Sequence, residues 1–224
     1  MKNIEFSLLL ASQSPRRREL LSFIGIPFDV ASADVDESLD PNESPRDYVL
    51  RLAEAKARAL ARNDAKAQII IGSDTAVVDA GETLGKPRDK SEAESMLRQL
   101  RGRTHQVYTG IALYDERSDK VFSELCISDV PMRDYSDAEM DAYISTGDPM
   151  DKAGGYAIQN GDFAPVEHFD GCFASVMGFP LCHLARSLKK EGIEIDADLP
   201  QACSSSLNYE CKISDAVLHG DNIG

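Results

Sequence analysis

The chain has 224 residues, which is enough to bury a core in one domain or in two intimate lobes. Its formal net charge of −14 argues against general binding to nucleic acid or to an anionic membrane. Five scattered cysteines without C-x-x-C spacing, no apolar stretch of transmembrane length and no signal-peptide pattern before the first strand lead us to expect a cytoplasmic protein.

The N-terminal segment predicts a strand, a turn and a helix that together favour a phosphate site. Residues 4–11 are mostly apolar and predict a buried strand, after which Ser14 can cap the free helical amides and Pro15 needs no N–H. Three arginines, residues 16–18, occupy the first turn, where the helix dipole makes each cation cost about 0.3–1 kcal/mol. A bound phosphate would offset that cost. A solvated basic turn is the alternative.

The second predicted helix carries one unusual lysine. It opens at Ser44 with an acid, Asp47, at the third position, and it runs to about residue 61. Lys56 is the only charge on its apolar stripe, which otherwise consists of Val49, Leu52, Ala53 and Leu60. A lysine there either lies along the apolar face with its head in water or points its ammonium into a cleft toward an anion.

Two acidic segments offer candidate carboxylates. Residues 68–72 predict a strand covered on both faces, and Asp74 follows it directly. The carboxyl ends of central strands form the ligand crevice in α/β proteins, so Asp74 could bind Mg²⁺ or act as a general base, with a turn cap as the alternative. Asp36 and Glu37, in an acidic loop, could supply a second metal-facing carboxylate or could simply be solvated.

The rest of the chain predicts further elements. Lys86, in a Gly-Lys-Pro loop, is a weak signal by itself, and we expect His105 to be structural. The predicted elements are a helix with a capping box at 91–94 that closes at 102, antiparallel strands around 107–114 and 121–130, a helix capped at 136–139, a glycine-rich segment at 154–161 and a helix at 181–190. Residues 1–195 are expected to form the functional domain, and residues 196–224 an acidic extension of unknown role.

Other common catalytic motifs are missing from the sequence. It has no Walker A loop, H-E-x-x-H motif, nucleophile elbow or EF-hand loop. Without a plausible Ser/His or Cys/His pair, nucleophilic catalysis is disfavoured. Several cations together with one or two carboxylates instead suggest metal-assisted attack of water on a phosphate chain.

The motifs, taken in order, resemble the Maf family of nucleoside triphosphate pyrophosphatases. The matching segments are 10–21 (LASQSPRRRELL), 35–37 (VDE), 53–57 (AEAKA), 72–75 (GSDT), 85–88 (GKPR), 102–110 (GRTHQVYTG), 151–159 (DKAGGYAIQ) and 176–181 (VMGFPL). The resemblance covers about residues 5–192, and the tail after residue 196 lies outside it.

The resemblance implies a mixed α/β fold with two lobes around a central cleft, similar to the inosine triphosphatase architecture. It also implies hydrolysis of a nucleoside triphosphate to the monophosphate and pyrophosphate with Mg²⁺ or Mn²⁺. Matched position by position, Asp74 would be the proton acceptor, Glu37 a metal-site residue, and the phosphate-binding residues would be Ser12, Arg17, Lys56 and Lys86.

Three further positions match the branch of the family that hydrolyses dTTP and UTP, namely Arg16, Thr75 and Gln159. The branch that acts on 7-methyl-GTP has a different residue, such as tryptophan, at the position of Arg16. We therefore expect a dTTP/UTP pyrophosphatase, which could form a homodimer. The alternative is a nucleotide-responsive regulator of septum formation with little catalysis, since the family has been linked with cell-division arrest.

Overall fold

A six-stranded mixed sheet organises the part of the chain that the computed structural model describes, residues 6–61 and 68–224. The strands are β1 (Ser7–Ala11), β2 (Phe28–Ala31), β3 (Gln68–Asp79), β4 (Glu82–Leu84), β5 (Thr104–Asp115) and β6 (Lys120–Pro131). Their order is β2-β1-β3-β5-β6, with β4 paired to β3. β1 runs parallel to β2 and β3, whereas β5 and β6 are antiparallel. Residues 4 and 5 of the first predicted strand lie outside the described residues.

Helices cover both faces of this sheet. They are α1 (Pro15–Ser22), α2 (Pro45–Arg58), α3 (Lys90–Leu100), α4 (Asp137–Ser145), α5 (Phe173–Val176), α6 (Leu181–Lys190), α7 (Leu199–Leu207) and α8 (Ser214–Leu218). Ser14, Ser44 and Ser136 cap α1, α2 and α4 as predicted. The antiparallel β5–β6 pair and the helix at 181–190 are confirmed as well, and so is a mixed α/β fold.

One local prediction was wrong, and two segments without a predicted element form regular structure. Asp89, two residues before Ser91, caps α3, because its carboxylate accepts the Glu92 amide at 2.9 Å. Residues 82–84, for which no element was predicted, form β4. The tail, for which no element was predicted, contains α7 and α8, and each buries an apolar residue, Leu199 and Val217 respectively.

The alternation of β1 shows how the core divides. Leu8 and Leu10 pack in a cluster with α1 and α6, whereas Leu9 and Ala11 face the opposite side, toward α2. A separate apolar cluster lies under α3 and α4, and Ile158 packs against both this cluster and the one under α1 and α6. These two cores correspond to two lobes. No helix among the described residues is long and apolar enough to cross a membrane.

A gap in the pairing of β3 is the feature that matters for function. Its parallel pairing with β1 ends at Ile71, and its pairing with β4 begins at Val77. Between them, residues 72–76 pair only with β5. The sequence predicted that the strand ends before Asp74, but Asp74 lies inside β3. It borders a crevice because β1 stops, not because β3 does.

Candidate active site

All nine residues predicted for the site line one cleft of about 640 Å³. They are Ser12, Arg16, Arg17, Glu37, Lys56, Asp74, Thr75, Lys86 and Gln159. The cleft opens at the gap in β3, between the carboxyl end of β1 and the loop that follows β4. Asp74 and Thr75 are successive residues of a strand and point to opposite faces of the sheet. Both reach the cleft because the strand edge there is uncovered.

The centre of the cleft is a lysine held between two carboxylates. Lys56 Nζ lies 2.6 Å from Asp74 Oδ1 and 2.6 Å from Glu37 Oε1. Lys56 and Asp74 are both 8% exposed, whereas the Glu37 side chain is half exposed. Burial opposes the charged form of Glu37, but the hydrogen bond and charge of Lys56 outweigh it and hold the pKa of Glu37 below its ordinary value.

The loop that carries Glu37 is tied to α2 by a tyrosine. The hydroxyl of Tyr48 donates to the Glu37 carbonyl oxygen at 2.9 Å. Burial, together with the negative charges of Asp74 and Glu37, raises the pKa of Tyr48 to about 12, so this hydroxyl stays a proton donor at neutral pH. Tyr48 also lines the cleft, and the sequence analysis assigned it no role.

Two glycines let α2 approach the sheet closely enough for Lys56 to reach the site. A Cβ atom on Gly72 of β3 would lie 2.0 Å from the Ala53 carbonyl oxygen. A Cβ atom on Gly110 of β5 would lie 2.7 Å from the Val49 carbonyl oxygen. Glycine inside a strand is typical of such close backbone approaches. The apolar stripe of α2 packs on these strands, and Lys56, on the same stripe, is directed into the cleft.

Arg17 is built into the floor of the cleft. Its guanidinium donates from Nε to the Gly178 carbonyl at 3.0 Å, from one terminal nitrogen to the Ser73 carbonyl at 2.7 Å, and from the other to Thr75 Oγ1 at 3.2 Å. These bonds use three of the five N–H donors of an arginine. Burial lowers the pKa of Arg17, although the charge of Asp74 opposes this shift. The side chain therefore joins α1, β3 and the loop after α5, and only its remaining donors are available to a phosphate.

The other predicted residues lie around this centre. Ser12 is buried, and its hydroxyl oxygen accepts the Ser14 amide at 3.2 Å. Lys86 is exposed at the opposite wall, and its charge also favours the ionised form of Glu37. Gln159 is exposed at the cleft.

An ionic group beside Arg16 was not predicted from the sequence. Arg16 NH1 lies 3.5 Å from Asp151 Oδ2, and Asp151 Oδ1 in turn accepts from Lys152 Nζ at 2.6 Å. Lys152 is 8% exposed, which is unusual for a lysine. Both residues lie in the segment 151–159 that carries part of the family resemblance, so a signal was present, but no motif or spacing links them to Arg16.

The charge of the cleft differs in sign from that of the whole chain. Its lining carries five cationic side chains and three carboxylates, in a protein of net charge −14. Arg16, Arg17, Lys56, Lys86 and Lys152 supply the cations. A local excess of positive charge in a concave site concentrates anionic ligands there. The arrangement can hold a polyanion beside a buried carboxylate.

Comparison with known families agrees with this geometry. The profile of the Maf-like protein family matches residues 7–191. This chain belongs to the Maf family. All nine predicted site residues lie within the matched range, and so do Asp151 and Lys152. The Maf match ends before α7, so α7 and α8 lie beyond the part of the chain that the family defines.

Curated relatives carry the name dTTP/UTP pyrophosphatase. The one from Geotalea uraniireducens is 45% identical over 192 residues, covering 86% of this chain and 98% of that protein. The one from Bacillus anthracis is 40% identical over 188 residues, covering 84% of this chain and 97% of that protein. Among solved structures, a HAM1 protein from Coxiella burnetii is 16% identical with a TM-score of 0.42, covering 58% of this chain and 75% of that one.

Proposed function

We propose that this Maf protein is a nucleoside triphosphate pyrophosphatase that hydrolyses dTTP and UTP to the monophosphate and pyrophosphate. The observation that carries the proposal is the buried Asp74 carboxylate, paired with Lys56 in a cleft where cations outnumber carboxylates. The names of the curated relatives also favour this activity over the alternative, a regulator of septum formation with little catalysis.

Asp74 is assigned the role of proton acceptor for the attacking water. Its Oδ1 is bonded to Lys56, so we assign the proton to Oδ2. A general base must lie within hydrogen-bond reach of the water and be ionised at the working pH. The Lys56 ammonium compensates the negative charge of Asp74 inside a buried site, where an unpaired carboxylate would be costly.

The cations are assigned to the triphosphate. Lys56 and Lys86 approach the cleft from α2 and from the loop after β4, and Arg17 approaches from α1. Ser12, at the end of β1, can donate its hydroxyl proton to a phosphate oxygen. Charge that develops on the phosphoryl oxygens and on the pyrophosphate leaving group would be stabilised by these groups, which are already in position.

The donor set fits a divalent cation that arrives with the substrate. Mg²⁺ is usually held by one or two carboxylates together with waters and substrate phosphates. Glu37 and Asp74 are two carboxylates of this kind, and both are bonded to the Lys56 ammonium. Residues 6–61 and 68–224 contain no group of three or more His, Cys, Asp and Glu placed for a metal. We assign Glu37 as the residue that would hold Mg²⁺ or Mn²⁺. The ion would neutralise charge on the triphosphate.

Selection of the base is assigned to Arg16, Thr75 and Gln159. The Gln159 amide offers a donor and an acceptor, and the edge of uracil or thymine presents the complementary pair. A site built to hydrogen-bond one edge rejects others because its polar groups are left unpaired. Arg16 is paired with Asp151 beside the same cleft, and Thr75 accepts a hydrogen bond from the Arg17 guanidinium.

The homodimer and the domain boundary at residue 195 stay predictions.

Pyrophosphate release from dTTP, UTP, CTP, ATP, GTP and 7-methyl-GTP with Mg²⁺ or Mn²⁺ tests the proposal. We expect dTTP and UTP to be far better substrates than the purine nucleotides. Asp74→Asn should lower turnover about 10²–10⁴-fold while nucleotide binding persists, and Asp141→Asn, an exposed acid on α4, should not. Near-normal turnover in Asp74→Asn would refute its role as base, and recovery with excess Mn²⁺ would make it a metal ligand instead.

A further inference from the structure

A second carboxylate network lies behind the residues assigned to base selection. Asp148, in the turn after α4, accepts three side-chain hydrogen bonds. Its Oδ1 accepts from Lys152 Nζ at 2.9 Å, and its Oδ2 accepts from the Tyr143 hydroxyl at 2.8 Å and from Asn160 Nδ2 at 3.2 Å. Burial opposes the ionised form, but Lys152 and Tyr143 outweigh it and hold the pKa of Asp148 below its ordinary value.

One branch of this network reaches Arg16. Lys152 Nζ also donates to the Asp148 carbonyl at 2.7 Å and to Asp151 Oδ1 at 2.6 Å, so its three protons are all used. The other oxygen of Asp151 lies 3.5 Å from Arg16 NH1. Asp148 therefore fixes Lys152, which fixes the carboxylate that faces Arg16.

The other branch holds the turn that presents Gln159. The Tyr143 hydroxyl accepts the Ala157 amide at 3.0 Å while it donates to Asp148. Asn160 donates to Asp148 and accepts the Phe163 amide at 2.8 Å through its own oxygen. Residues 157 and 160 are thus tied to Asp148 on either side of Gln159.

We propose that Asp148 is a positioning residue that sets the spacing between Arg16 and Gln159 and thereby controls the choice between pyrimidine and purine triphosphates. The inference rests on the proposed function. Asp148 is not among the residues that line the cleft. It acts by holding the carboxylate that faces Arg16 and the turn that presents Gln159 in fixed positions. Recognition by paired hydrogen bonds requires the binding groups to stay within about 0.5 Å of their correct positions.

Asp148→Asn is the sharpest perturbation because it keeps the size of the side chain. Three donors point at the two carboxylate oxygens, and an amide offers one oxygen and a second group that is itself a donor. At least one of the three bonds must therefore be lost. Asn160→Asp is a second route to the same effect, since it keeps the acceptor for the Phe163 amide but places a carboxylate against Asp148.

The experiment measures kcat and KM for UTP and ATP in the wild type, Asp148→Asn, Asn160→Asp and the control Asp141→Asn. We expect the ratio of kcat/KM for UTP to that for ATP to fall about tenfold in the first two variants, through a higher KM for UTP, while kcat for UTP stays within about threefold. A double-mutant cycle with Gln159→Ala should show that Asp148→Asn has little further effect once Gln159 is gone.

The outcomes separate this inference from the proposed function. An active, pyrimidine-selective wild type whose selectivity survives in folded Asp148→Asn and Asn160→Asp would overturn the inference alone, as would full additivity with Gln159→Ala. A wild type that releases no pyrophosphate from any nucleotide would overturn the proposed function and the inference with it. If Asp148→Asn fails to fold, Asn160→Asp decides the question.

Discussion

Replacing Gly72 by alanine should displace Lys56 without changing a residue that lines the cleft. The added Cβ would lie 2.0 Å from the Ala53 carbonyl oxygen and 2.9 Å from the Ala57 nitrogen. Both atoms belong to the backbone of α2, so no side-chain rotation relieves the clash. Restoring a contact of about 3.4 Å requires α2 to move away from β3 by more than about 1 Å. Lys56 moves with the helix, and its 2.6 Å bond to Asp74 is then lost.

Two magnitudes follow from that displacement. Overpacking in a core costs about 1–3 kcal/mol and more where backbone must shift, so we expect the free energy of unfolding to fall by about 3 kcal/mol. A misplacement of about 1 Å in a catalytic group can lower turnover about 10²-fold. Gly72→Ala should therefore lower both the urea midpoint and kcat/KM for UTP. Lys56→Met should lower kcat/KM in a similar way while leaving the α2–β3 packing in place.

Gly161→Ala is the matched control, because a Cβ there meets no atom within 4 Å and the backbone needs no left-handed conformation. It should leave stability within about 0.5 kcal/mol and turnover unchanged. The reasoning is refuted if Gly72→Ala behaves like Gly161→Ala. It is refuted in part if stability falls but the folded fraction keeps full turnover, since Lys56 would then not depend on the close approach.

Three other predictions concern stability. Burial lowers the pKa of His105 from 6.5 to about 4. As the pH falls from 6.5 to 4, His105 therefore binds a proton first in the unfolded chain, and the free energy of unfolding drops by up to about 3 kcal/mol. His105→Gln, which can still bond Tyr156, should make urea unfolding less dependent on pH in that range. Arg17→Lys should lower the free energy of unfolding by about 3 kcal/mol through lost hydrogen bonds, whereas a residue that only contacts phosphate would change KM alone. Arg186→Met, which removes the buried partner of Glu124 and bonds to the tail, should cost about 3 kcal/mol and expose residues after 192 to limited proteolysis before the rest.

Local signals predicted much of the fold because their causes are local. Ser44 and Ser136 cap helices with amides three residues away, and residues 107–114 and 121–130 form the antiparallel pair that their alternation predicts. The start of α3 shows where local reasoning fails. Asp89 and Ser91 can both cap a helix, and only the structure shows that Asp89 is the cap. Asp74 reaches the cleft only because β1 ends beside it, 63 positions earlier in the chain.

The list of candidate site residues was easier to predict than their contacts. The resemblance selected nine residues that all line one cleft. It did not reveal that Arg17 is held by Gly178, 161 positions away, or that Asp148 ties two separate segments together. The Arg17 bonds join a side chain to groups distant in sequence, and no periodicity records them. The partners of Asp148 lie within 12 positions of it, but only the fold shows that they connect Arg16 with the turn of Gln159. Buried charges such as Lys152 become informative only when their partners are known.

The position of Lys56 explains how one cleft can hold both carboxylates and a polyanion. Two carboxylates close together repel each other, which favours protonation of one of them and would remove a base at neutral pH. One ammonium at 2.6 Å from each carboxylate offsets that repulsion before any substrate is bound. A triphosphate that enters then needs further cations, and Lys86 and the remaining N–H donors of Arg17 line the same cleft. A divalent cation held by Glu37 would add positive charge beside Lys56, which is already bonded to both carboxylates. Lys56 thus pairs with both carboxylates, and the outer cations together with a divalent cation would neutralise the phosphates.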